Sequence, residues 1–230
     1  MGIIKLLLAN RKVDPNIPAA NTPLHWAADH GEEAVVKLLL QRNDIKPDLP
    51  DALYRTPLAR AALHGHGDVV NLLLQRRDVN LNSYDEAGRT PLISAVMNNH
   101  KSVAAYLLTT SFYPASPTEV DANRADTAGK TSLHWSASLG NEDIVKLLLA
   151  QDDVDPDPVD ISGRTPLSRA AENGHVGVVE IFLAAGEVNT CLSDNAGMTP
   201  VEWALRGRHG NVVVLLQRAG DSSGVRGKGV

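Results

Sequence analysis

Histidine and cysteine supply the first candidates for chemistry in this chain. His64 and His66 stand two residues apart, and paired imidazoles often begin a zinc site. No cysteine or repeated carboxylate spacing completes a tetrahedral ligand set around them. His66, His100, His175 and His209 each fall ten residues after a threonine, so register in a repeated fold accounts for them better than catalysis does. Cys191 lies in a turn segment without an evident base beside it. A glycine-rich phosphate loop and a nucleophile motif are both missing. An enzyme or metal site formed across repeats is therefore the least favoured function, and no cofactor or metal is expected.

The elements that would position any site are repeated. A block opening with Thr recurs as Thr22-Pro23-Leu24-His25-Trp26-Ala27, then from Thr56, Thr90, Thr131, Thr165 and Thr199, at intervals of 34, 34, 41, 34 and 34. A second, apolar block follows each one, first as Val35-Val36-Lys37-Leu38-Leu39-Leu40, and Ile3 to Leu8 matches it without a preceding Thr block. Thr before Pro starts a helix, because the hydroxyl caps free amides and Pro at the first helical position forfeits no hydrogen bond. Nine residues after the Thr, Gly31, Gly65, Asn99, Gly140 or Gly174 can take the left-handed conformation that ends a helix. The apolar block predicts a second helix that must be covered by its neighbours. Asp-x-x-Gly segments beginning at Asp85, Asp126, Asp160 and Asp194 read as tight turns between copies. One such hairpin cannot bury its apolar face, so stability must come from stacking.

These residues resemble ankyrin repeats, whose Thr-Pro-Leu-His-x-Ala signature is matched from Thr22 to Ala27. The likeness covers residues 1–220. The variants Thr-Pro-Leu-His-Trp-Ala and Thr-Pro-Leu-Ser-Arg-Ala are similar to long arrays of filamentous fungi. The resemblance implies an all-α solenoid of stacked helix–turn–helix units with short β-turn tips. A half repeat would occupy 1–16, and full repeats would begin near 17, 51, 85, 126, 160 and 194. It also implies a non-catalytic module that binds a protein through its concave helix face and turn tips. A structural or regulatory spacer in a larger signalling or receptor protein is the alternative. His25 and His134 would hydrogen-bond locally and support the fold.

On that fold the residue four after each Thr faces the concave side. Trp26, Arg60, Trp135, Arg169 and Trp203, with Ser94 interrupting, would form a ladder, and helices 8–10 Å apart would let Arg meet Trp in cation–π contacts of ~0.5–2 kcal/mol. Such a ladder can be internal and still present one face to a partner, since Trp and Arg dominate interface hot spots. Just before the Thr residues stand Arg55, Arg89, Lys130 and Arg164, a row that either favours an acidic peptide or is solvated and offset by nearby Asp.

The pattern also breaks. The 41-residue interval carries an insertion, Thr110 to Pro117, whose Phe112 and Tyr113 either contact a partner or fold back over a helix end. Tyr54 replaces the turn Gly, predicting a changed turn, and Arg208 replaces the helix-ending Gly, predicting a looser last repeat. The uncapped half repeat predicts either a fragment of a longer array or packing on another chain. Residues 221–230 read as a disordered tail.

Composition sets outer limits. The 230 residues are 43% hydrophobic, 21% charged and only 4% aromatic, so the core must be built mainly from Leu, Val, Ile and Ala. Acidic side chains exceed basic ones by 27 to 22, for a net charge of -5, which argues against nucleic acid as a partner. One cysteine excludes an internal disulfide and suits a reducing compartment. Ile3 to Ala9 is too short for a membrane helix, basic residues follow rather than precede it, and Leu6 breaks the pattern of a myristoylation site. A soluble protein inside the cell, in the cytoplasm, is expected, with no membrane partner.

Overall fold

The computed structural model describes residues 13–17, 21–109 and 119–224. The run Ile3 to Leu8, the insertion Thr110 to Pro117 with Phe112 and Tyr113, and residues 225–230 lie outside that description. The chain divides into two compact units, residues 1–121 and 122–230. Among the described residues every regular element is helical.

In the first unit, three hairpins are formed by α1 (Pro23–Asp29) with α2 (Glu33–Leu40), α3 (Pro57–His64) with α4 (Gly67–Leu74), and α5 (Pro91–Met97) with α6 (Lys101–Leu108). First helices pack on first helices, second helices on second helices, so each copy repeats the contacts of its neighbour. The second unit repeats this with α7 (Ser132–Leu139), α8 (Glu142–Leu149), α9 (Pro166–Asn173), α10 (Val176–Ala185), α11 (Pro200–Arg206) and α12 (Gly210–Gly224). Helix α12 continues through 221–224, which the sequence had assigned to a disordered tail.

Each first helix starts as the sequence dictates. Thr22, Thr56, Thr90, Thr131 and Thr165 are extended at the N-cap, and their hydroxyls accept the N–H three residues on. At Thr199 the Glu202 carboxylate accepts from both the N–H and the hydroxyl of the threonine. Such a cap contributes about 1 kcal/mol. The short helices survive because one face of each is sealed: Leu24, Leu58, Leu133 and Leu167 are buried, as are Val36, Leu39, Val70, Leu73, Val145, Leu148 and Phe182. Each buried Leu or Val stabilises the stack by roughly 1.5–3 kcal/mol. On the opposite side of the second helices, Lys37 and Lys146 are exposed.

Two expected irregularities are absent. Tyr54 adopts φ 61°, close to the 73–77° of Gly88, Gly129, Gly163 and Gly197 at the same register, so the turn is conserved despite the Cβ. Arg208 likewise takes φ 60°, and the His209 N–H still bonds the Ala204 carbonyl as His66 bonds Ala61. In both cases the surrounding hydrogen bonds dictate the backbone and the side chain accepts the strain, a cost of roughly 1–2 kcal/mol. Both side chains extend outward, and Tyr54 is 63% exposed.

Candidate functional site

The aspartate that opens each turn organises the candidate surface. In the second unit, Asp160 Oδ1 accepts the N–H groups of Ser162 and Arg164, which closes the turn. Its other oxygen accepts from Arg169, four residues after Thr165. Asp126 and Asp194 close their turns in the same way and take the indole N–H of Trp135 and Trp203, each at 2.9 Å. In the first unit Asp51 holds both Arg55 and Arg60. Asp85 pairs with Arg89, as Asp51 does with Arg55, and Ser94 stands where the longer donor would be. Trp and Arg therefore alternate at one register for a reason the sequence did not reveal: both reach the turn carboxylate with an N–H donor.

That geometry changes the expected ladder. Arg60 engages Asp29, Asp51 and Asn21, and Arg169 engages Asp160 and Glu172. The cations lying over indole rings come from other registers: Lys130 over Trp135 at 4.3 Å, Arg164 over Trp203 at 3.6 Å, and Arg206 over the same ring at 5.2 Å. Trp26 stacks on His30 at 4.5 Å. The row Arg55, Arg89, Lys130 and Arg164 is likewise not a bare stripe, since Arg164 also reaches Glu172 and Asp194. Burial alone would raise the Asp160 carboxyl, but Arg169 and the two turn amides hold it below the usual carboxylate range. Asp51 is held low in the same manner by the Arg55 amide and Arg60. These carboxylates stay ionised and fix the turn tips in place.

Histidine works in two structural roles. His25 and His134 each face the N–H and hydroxyl of the capping Thr with Nδ1, while Nε2 meets the carbonyl of Arg55 or Arg164 in the next hairpin. Burial lowers both pKa values, although the carbonyl bond and a nearby aspartate oppose it. The folded state thus favours neutral rings that the unfolded chain protonates near 6.5. Their stabilising effect is complete above that value and declines as pH falls through the lower folded value. Proton NMR should show both rings titrating below 6.5, and replacing both by Gln should lessen the loss of stability between pH 7 and 5. An unchanged loss would place the acid sensitivity elsewhere.

His66, His100, His175 and His209 form the second set. Each ring bonds a carbonyl of the preceding hairpin, that of Asp29, Leu63, Ser138 and Glu172 respectively, at 2.9–3.0 Å. The ring lies over the helix-ending glycine: a Cβ on Gly31 would sit 2.6 Å from His66 Nδ1, and one on Gly140 the same distance from His175. His64, the expected companion of His66, pairs with Asp29 at 3.1 Å. Among the described residues no three His, Cys, Asp or Glu side chains are grouped to hold a metal ion. Cys191 is exposed.

What remains for a partner is the set of large side chains these networks leave in solvent. In the first unit Trp26 is 50% exposed, with Leu53 and Tyr54 on a turn tip. In the second, Ile161 is 71% exposed and Leu139 46%, with Val159 and Leu205 also in solvent. Leu139 falls eight residues after its Thr and Ile161 just after the turn Asp, positions that the repeat pattern leaves variable. Adjacent tips are joined by backbone bonds, from Glu86 N–H to Leu53 in one unit and from Ile161 N–H to Ala128 in the other. Leu53, Tyr54 and Ile161 are thus displayed from pinned turns, and Trp26 and Leu139 from capped helices.

Among the described residues no helix is long and apolar enough to cross a membrane. A family model described as ankyrin repeats (3 copies) matches residues 1–85, 77–160 and 152–224. Solved structures agree on the fold. An ankyrin repeat domain from Acinetobacter baumannii is 24% identical with a TM-score of 0.76, covering 86% of this chain and 97% of that one. A chain from the complex of a predatory endopeptidase of Bdellovibrio bacteriovorus with its immunity protein is 26% identical with a TM-score of 0.74, over 86% and 98%. The ankyrin repeat domain of Bcl-3, a member of the IkappaB family, is 29% identical with a TM-score of 0.76, over 87% and 86%. No curated protein matches the chain in sequence.

Proposed function

Because the chain belongs to the ankyrin-repeat family, whose members are generally protein-interaction modules, we propose that it is a non-catalytic module that captures a protein on its first-helix faces and turn tips. One observation carries this reading: large apolar side chains, Trp26, Leu139 and Ile161 among them, remain in solvent on a rigid scaffold whose core is sealed. Trp26, Leu139 and Ile161 are held there by capped helices and bonded turns, so a partner meets a preformed surface and little backbone rearrangement accompanies binding. The structures it resembles include one solved as a complex between two proteins, which supports the same reading. The partner is a protein rather than nucleic acid, in line with the net charge of -5. A reducing, intracellular setting fits the single cysteine.

Within this reading, Trp135, Arg169 and Trp203 act mainly by holding the tips, while Trp26 and the exposed tip residues make contact. The test is affinity capture with the full chain and two folded variants, Trp26→Ser/Tyr54→Ser and Leu139→Ser/Ile161→Ser. At least one variant should lose the captured proteins by tenfold or more, as hot-spot aromatics and aliphatics do. Equal recovery of every protein by both variants would remove these surfaces from the site.

A second reading, a spacer or regulatory segment of a larger protein, is favoured by one fact. Arg60, Trp135, Arg169 and Trp203 are all engaged by turn carboxylates, as a purely architectural array requires. The same capture experiment separates the two, since a spacer would retain no protein to lose.

A further inference from the structure

Between the second helix of one hairpin and the next turn, one polar register clamps successive copies together. Asn16 donates through Nδ2 to the Asp44 carbonyl and accepts the Lys46 N–H. Asn82 does the same with Glu119 and Asp121, and Asn123 with Asp153 and Asp155. In each case the carbonyl lies two residues before the accepted N–H, so one amide group closes a two-bond ring with the following hairpin.

Asp48 and Asp157 occupy the same register with half of that chemistry. Asp48 Oδ2 accepts the Asn80 N–H at 2.6 Å, and Asp157 Oδ2 accepts the Asn189 N–H at 2.7 Å. Their other oxygens, both Oδ1, are buried without a hydrogen-bond partner. Two residues before Asn80 and Asn189 stand Asp78 and Glu187, whose carbonyls correspond in register to those that the asparagines bond. Against a carbonyl so placed, an ionised oxygen would meet another acceptor, which is repulsive. A carboxylic acid would meet it as a donor.

We propose that Asp48 and Asp157 are proton-operated clamps: protonated, each donates from Oδ1 to the carbonyl of Asp78 or Glu187 and completes the asparagine ring; ionised, each leaves that bond unmade. The two carboxyls sit one in each unit, so each unit carries its own clamp. Their surroundings favour the protonated form. Burial pushes both carboxyls up, against the pull of the Asn80 or Asn189 amide, and a neighbouring carboxylate, Asp78 or Asp155, adds to the rise. Around Asp48 the charged groups are Asp78 and Arg76, which pair with each other. Around Asp157 they are Asp155 and, two residues before Asn189, Glu187. The folded chain holds protons that the unfolded chain releases near the ordinary value of 3.8. The clamp contribution is therefore fully present below that value and is lost as pH rises through the folded value. This sign is opposite to that of His25 and His134.

Urea unfolding of wild type, D48N, D157N and the double variant from pH 4 to 7.5 tests the proposal. The pH profile is read as variant minus wild type, which cancels the histidine contribution. Each Asn supplies the missing donor at every pH, so the unfolding constant at pH 7.5 should fall by about tenfold per site. The advantage should shrink toward pH 4, as the wild-type carboxyls take up protons and make the same bond. The reverse variant N82D should lose about tenfold at pH 7.5 and acquire the aspartate trend. Carbonyl-carbon NMR should show Asp48 and Asp157 titrating above 3.8. A flat difference profile, or an N82D variant without a new pH trend, overturns the proposal. So does a D48L variant as stable as D48N, because relief of buried charge would then suffice without a donor.

Discussion

Replacing Asp160 by Ala is expected to destabilise the second unit by about 3–5 kcal/mol, the cost of removing one member of a buried, hydrogen-bonded ion pair. The carboxylate has three tasks: it accepts the Ser162 and Arg164 amides and holds Arg169. Its side chain is nearly inaccessible, so water cannot replace those bonds. Urea unfolding measures the loss, and a change under about 1 kcal/mol would show that the turn closes without it. The companion variant distinguishes donor from charge. Arg169→Trp should cost less than about 1 kcal/mol, because Trp135 and Trp203 already bring an indole N–H to Asp126 and Asp194 from this register. Arg169→Leu, which leaves the Asp160 oxygen without that donor, should cost about 2–3 kcal/mol. If Trp and Leu prove equally costly, the shared donor role is wrong.

Gly140→Ala should be nearly as damaging, at about 3 kcal/mol, through two separate effects. The backbone is held at φ 72°, where a Cβ costs roughly 1–2 kcal/mol. The new methyl also meets the His175 ring at 2.6 Å, and that ring is fixed by the Ser138 carbonyl. Thermal or urea unfolding of Gly140→Ala, His175→Ala and the double variant separates the two. The double variant should be less destabilised than the sum of the singles, because the collision disappears while the strained φ remains. Simple additivity would mean the ring moves aside freely. Arg208 provides a natural comparison: it carries a side chain at φ 60° at the same register.

Much of the fold was legible because each local signal has a single physical meaning. Thr22-Pro23 can hardly do anything but start a helix, and the Val-Val-x-Leu-Leu-Leu blocks demand cover on one side. The candidate surface was less legible. Trp26, Arg60, Trp135, Arg169 and Trp203 were found as a series, but the series was expected to stack on itself. The nine-residue offset between each turn Asp and the donor was visible in Asp126 to Trp135 and Asp160 to Arg169. Its meaning was not, because a carboxylate and an indole nine residues apart meet only if a turn folds back on the following helix. Leu139 and Ile161 carried no pattern at all, since exposure is a property of what does not pack. Phe112 and Tyr113 lie outside the described residues.

The sequence by itself determined the hairpin, its caps and its repetition, because those depend on contacts within about a dozen residues and on the periodicity of apolar side chains. Tertiary structure decided what the polar residues do. Whether His175 binds a carbonyl, Arg164 covers an indole, or Asp48 is left with an orphaned oxygen depends on a neighbouring copy 32 to 39 residues away. Such a contact is set by stacking geometry, and Asp and Asn, nearly equal in shape, become opposites only once a carbonyl or an amide is brought against them.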